Sequence, residues 1–122
     1  MIVLAALLLQ AAAAPPMPPA DWSTLPELPV TAATGPISSS FVRREVVKNR
    51  CQAEPNGGVM EIEAPVAVLI DEAGVVQRVV PRAIDCPTVE QYTAGYVSSL
   101  ARRTAGLKRG WYRFTMTYRW QG

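Results

Sequence analysis

The 122-residue chain contains no histidine. That removes the side chain most often used as a general base and as a metal ligand. A serine nucleophile would then need lysine or a carboxylate beside it. Ser98-Ser99 falls in a helical pattern, while Lys48 and Lys108 lie in unrelated segments. The acids Glu61, Glu63, Asp71, Glu72, Asp85 and Glu90 could in principle supply a carboxylate pair. Glu61 and Glu63, however, share one side of a strand pattern and read as a solvated face. Gly57-Gly58 forms a turn, not a phosphate-binding loop placed after a strand. We therefore expect no enzyme, no catalytic residues, no cofactor and no metal.

Charge of one sign is also scarce. The 12 Lys and Arg against 10 Asp and Glu leave a net +2, with no basic stripe interleaved with aromatics, so no nucleic-acid partner is expected. The apolar run is short. Ile2 to Leu9 is uniformly apolar and Gln10 leads into Ala11 to Ala14, well below the roughly 20 residues a spanning helix needs. An apolar stretch followed by small residues reads as a signal peptide over residues 1–14, with cleavage after Ala13. The expectation is a periplasmic or secreted protein with no membrane span in the mature chain.

Cysteine is limited to Cys51 and Cys86. No Cys-x-x-Cys redox spacing is present, and two cysteines without histidine make a poor zinc site. In an exported chain the pair reads most simply as a disulfide. Closing a loop of that length contributes about 4 kcal/mol in the chain-entropy account.

Proline is abundant where structure is least expected. Pro15, Pro16, Pro18, Pro19, Pro26, Pro29 and Pro36 favour extended backbone and exclude helix or central strand. We read residues 15–38 as a disordered spacer, in which Trp22, Leu25 and Leu28 are the side chains able to pin it to the domain. The domain itself is assigned to 39–122. Its first part is ambiguous. Val42 and Val46 have helical spacing, yet Phe41-Val42 and Val46-Val47 suit an edge strand. The balance favours an extended segment over 39–50.

From Val59 onward the pattern sharpens. Val59 to Glu63 alternates and leads through Pro65 into Val66-Ala67-Val68-Leu69-Ile70, a branched apolar run of strand length. Asp71-Glu72-Ala73-Gly74 turns the chain, and Val75 to Val80 returns as a second strand. There the core candidates Val76 and Val79 are three apart, which a bulge near Gln77-Arg78 would reconcile with one buried face. Pro81 ends the strand at an edge. Pro87 suits a first helical turn, Thr88 and Gln91 have capping-box spacing, and Val89, Tyr92, Tyr96 and Leu100, with Val97, form one apolar stripe on a helix over about 88–103. The last strand alternates strictly: Tyr112, Phe114, Met116, Tyr118 and Trp120 on one face, Trp111, Arg113, Thr115, Thr117 and Arg119 on the wet one. These elements define an α+β fold. A small antiparallel sheet of about three strands is packed by one helix, in strand-strand-helix-strand order, as a two-layer sandwich.

The order of these elements resembles the C-terminal domain of TonB-type energy transducers. The residues that carry the likeness are Val66 to Val76 with their acidic-Gly turn, then Val79, the Ile84-Asp85-Cys86-Pro87 loop, Val89, and the aromatic strand 111–120. The chain looks like a divergent, stand-alone version of that domain. The resemblance implies a protein–protein contact module that binds a segment of an outer-membrane receptor by strand addition, a mechanism that uses backbone edges. If the terminal strand is the free edge, Arg113, Thr115, Thr117 and Arg119 flank the added strand. The alternatives are a structural or self-associating exported domain that dimerises through this strand, and a small-molecule binder around Tyr92, Tyr96 and Tyr118.

Overall fold

The structure, a computed structural model, describes residues 16–30 and 36–122. The signal peptide read over residues 1–14 lies outside the described residues. Two helices, α1 (Pro36–Asn49) and α2 (Pro87–Arg102), pack on one face of a four-stranded antiparallel sheet formed by β1 (Glu54–Asn56), β2 (Val59–Ile70), β3 (Val76–Pro81) and β4 (Gly110–Gln121). The α+β two-layer reading holds, with one more helix and one more short strand than the sequence announced.

β2 is the spine. β4 pairs with it along its whole length, from Val59 opposite Gln121 to Ile70 opposite Gly110. The other edge of β2 is shared end to end: β1 takes Val59 to Glu61 and β3 takes Val66 to Ile70. Between them, among the described residues, β2 has no strand partner on that side. Pro65, which has no N–H to donate, sits at this gap, and its carbonyl accepts from the Arg82 N–H at 3.0 Å. The bulge inferred from Val76 and Val79 is present. Leu69 lies opposite Arg78 and Ile70 opposite Val76, so Gln77 is the extra residue. Both valines pack against the core.

Alternation on β2 places Ile62, Ala64, Val66, Val68 and Ile70 under the helices, all buried, with Met116 and Tyr118 of β4 beside them. On α2 the deepest line is Val89, Thr93, Val97 and Ala101. Tyr92 and Tyr96 flank that line. The Phe41 and Tyr92 rings are 4.7 Å apart and those of Tyr92 and Tyr118 6.4 Å apart. Phe41, Tyr92 and Tyr118 thus pack ring to ring in the helix–sheet layer.

Three local expectations are corrected. Residues 39–49 belong to helix α1 and Arg50 to the turn that ends it, not to an extended segment: Val42 and Val46 are buried while Val47 is 68% exposed. One-face burial at a spacing of four outweighs the β-branched composition. The helix ends with Arg50 in the left-handed region (φ 53°) and the Cys51 N–H on the Val46 carbonyl at 2.9 Å, a stop that glycine usually supplies. The Thr88–Gln91 capping box is not formed. Cys86 is the N-cap, and the Glu90 carboxylate accepts the backbone N–H groups of Ile84 (3.0 Å) and Cys86 (3.1 Å). Thr88 instead accepts from the Asn49 amide at 3.3 Å. Glu90→Ala is expected to cost about 1–3 kcal/mol, because two amides lose a charged acceptor, and Glu90→Gln about half as much. Urea unfolding measures both, and equal losses for the two variants would refute this account. The third correction concerns the spacer. Its part 16–30 is packed against the domain, with Leu28 in the core.

Cys51 and Cys86 form the disulfide, with Cα atoms 5.5 Å apart. It ties the end of α1 to the start of α2. Such a bond is consistent with an oxidising, extracytoplasmic compartment. Among the described residues no helix is long and apolar enough to cross a membrane.

Candidate functional site

The candidate residues Arg113, Thr115, Thr117 and Arg119 come together on β4, on the face away from the helices. Their backbone geometry can be read from one rung. The Arg113 N–H donates to the Pro26 carbonyl and the Leu28 N–H donates to the Arg113 carbonyl, both at 2.9 Å. Both backbone groups of Arg113 therefore point away from β2. Alternation then turns those of Trp111, Thr115, Thr117 and Arg119 the same way. Pro65 gives an independent check. It stands opposite Thr115, and its carbonyl faces the far edge, toward Arg82.

The edge is divided in two. At Arg113 it is taken by residues 26–28, which run parallel to β4 with Glu27 opposite Arg113. From Thr115 to Arg119 no backbone group among the described residues pairs with it. The side chains are less free than the backbone. The Arg119 Nε donates to Glu61 Oε2 at 2.7 Å across the β2–β4 ladder. That bond holds the Glu61 carboxyl below its ordinary range and raises the guanidinium. Arg113 Nε lies 3.2 Å from Glu27 Oε1, but without the alignment of a hydrogen bond, so it is a charge contact. Thr115 is exposed and Thr117 half-buried.

The occupant is the proline-rich segment, which the reading as a disordered spacer missed. It crosses the sheet face opposite the helices. Met17 Sδ lies 3.7 Å from an Arg78 amino group over β3, and the Arg82 guanidinium carbon stands 4.3 Å from the centre of the Trp22 ring. Asp21 starts a short 3-10 turn, Trp22–Thr24, by accepting from the Ser23 backbone and hydroxyl, which lowers its carboxyl below the usual range. At the β4 edge, Glu27 stays on the outer face and Leu28 turns inward, 2% exposed, into the core. Trp22 and Leu28 were the sequence signal: large apolar residues in a proline-rich stretch have a reason to be there only if something buries them.

A second concave region lies at the far end of the sheet. It is an open groove of about 740 Å³ whose lining includes Arg43, Val47, Arg50, Met60 and Trp120. It is separate from the Arg113 rung. The fold and the edge together define a small disulfide-bonded α+β domain with a partly open terminal strand. Comparison of this chain with family models, with curated proteins and with solved structures finds no match.

Proposed function

We propose that this is an exported, periplasmic protein–protein interaction module, similar to the TonB C-terminal domain, that takes up an extended segment of an outer-membrane receptor by adding it as a strand to β4. The observation that carries the reading is the outward-facing backbone of Thr115, Thr117 and Arg119, which continues an edge already paired with an added segment at Arg113. Main-chain hydrogen bonds supply affinity in such a contact, so it needs no catalytic or metal-binding side chain. Net charge near neutrality fits a protein partner better than nucleic acid.

The second reading is self-association without any transport role. It is favoured by the same long edge. Two copies pairing antiparallel about Thr117 would set Thr115 of one against Arg119 of the other, without placing like charges opposite each other.

A photo-crosslinking residue at position 117 of the exported full chain separates the readings. Adducts with an outer-membrane protein support strand capture. Adducts with the chain itself, together with concentration-dependent sedimentation, support the dimer. Absence of both kinds of adduct refutes an edge-binding role. Thr117→Pro removes an edge donor at a position where proline is tolerated in a sheet. It is expected to abolish the adducts, with crosslinking then read from position 115, while the chain stays folded.

A further inference from the structure

We infer that residues 16–30 are a displaceable strap that competes with incoming strands for the β4 edge, and so regulates how much of that edge a partner can use. The inference rests on the strand-capture reading above, but its first test does not need a partner.

The strap's hold is uneven. Leu28 is buried, whereas Asp21, Ser23, Thr24, Pro26 and Glu27 are exposed and Trp22 and Leu25 are only half-buried. Its pairing with β4 amounts to two backbone bonds, both to Arg113. It also ends itself. To continue along β4, the strap would have to offer the Leu28 carbonyl to the Thr115 N–H and the Val30 N–H to the Thr115 carbonyl. The Val30 N–H instead donates to the Leu28 carbonyl at 2.8 Å, a tight turn around Pro29, whose fixed φ suits it. The strap therefore covers the rung at Arg113 and turns away before Thr115. A partner strand can seat on the open part first. By displacing residues 22–28 it gains the outward-facing groups of Arg113 and Trp111 as further rungs. Binding energy and strap release are coupled through the same backbone atoms.

The test uses the full chain carrying Trp22→Ala and Glu27→Lys, which removes the ring over Arg82 and the charge opposite Arg113. Amide hydrogen exchange at Arg113 is expected to accelerate about tenfold, the sum of two modest surface contacts, while Val66 and Val68 keep their protection. A synthetic peptide of residues 16–30 added at millimolar concentration should restore protection at Arg113. Unchanged exchange at Arg113 overturns the proposal. So does acceleration shared with Val66 and Val68, because the strap would then be an inseparable part of the fold. The crosslinking assay at position 117 supplies the link to function. If partner adducts form equally well with and without the two substitutions, strand capture stands and regulation by the strap falls. If Arg113 opens as expected but no adducts form in either chain, the strap is displaceable and strand capture is what fails.

Discussion

Replacing Cys51 and Cys86 together by alanine is expected to lower the unfolding free energy by about 2–4 kcal/mol. The bridge spans 35 residues, within which lie β1, β2 and β3, so without it the unfolded chain regains the freedom of that whole loop. A small domain has about 5–15 kcal/mol in total, so the loss is a large fraction of its stability. The effect should also be uneven. α1 is bound to the rest through Val42, Val46, the Phe41–Tyr92 contact, the Asn49–Thr88 hydrogen bond and the bridge. With the bridge gone, the amides of α1 are expected to lose hydrogen-exchange protection before those of β2 and β4. Denaturant unfolding with exchange by residue measures both effects. A midpoint unchanged by the double substitution would show that the bridge merely decorates a helix already fixed by packing.

The second large effect concerns Tyr118, whose side chain is fully buried between β4 and α2. Its hydroxyl lies 2.9 Å from Thr93 Oγ1, and Thr93 in turn donates to the Val89 carbonyl at 2.7 Å. Either hydroxyl can act as the donor in their contact. Tyr118→Ala empties a large core site and is expected to cost about 3–5 kcal/mol. Tyr118→Phe keeps the ring and loses one bond, about 1 kcal/mol at neutral pH. Alkali separates the variants further. Burial pushes the Tyr118 phenol up to about 12, with Tyr92 and Tyr96 adding to the rise and the Thr93 contact opposing it. A group raised in the folded state keeps its stabilising proton below its unfolded value near 10, and that contribution is lost as pH climbs toward 12. Wild-type stability should therefore fall over that interval by on the order of 2 kcal/mol more than that of Tyr118→Phe. Parallel curves for the two proteins between pH 10 and 12 would show that the phenol titrates as it does in the unfolded chain.

The parts of the fold that could be read in advance are those where one physical signal dominates. β4 is legible because every second residue changes character over its length. The β2–β3 hairpin is legible because a branched run meets an acidic-Gly turn, in which Asp71 Oδ1 accepts the N–H groups of Ala73 and Val75. Even the bulge could be inferred, because Val76 and Val79 cannot share a face otherwise. Residues 39–50 were obscured by opposed signals, helical spacing against β-branched composition, and only the burial of Val42 and Val46 decides between them. The capping of α2 was obscured because Glu90 acts from the first turn on amides that precede it. At the edge, Arg113, Thr115, Thr117 and Arg119 could be grouped by periodicity, but their division could not. It depends on Leu28 finding a buried position and Val30 turning back, and neither follows from proline content.

The pairing of β2 with β4 also dictates the order of assembly. This longest ladder joins strands separated by the hairpin, α2 and the loop after it, so it carries the greatest closure entropy and forms late. The β2–β3 hairpin and α2 close locally and need not wait. In a chain that emerges from its N-terminus, β2 therefore exists for a time with one entire flank of amides and carbonyls unmatched, above a half-built core. During that interval the chain is most exposed to aggregation, and the arrival of the twelve-residue β4 covers that flank of β2 and leaves the outer side of β4 as the open edge there.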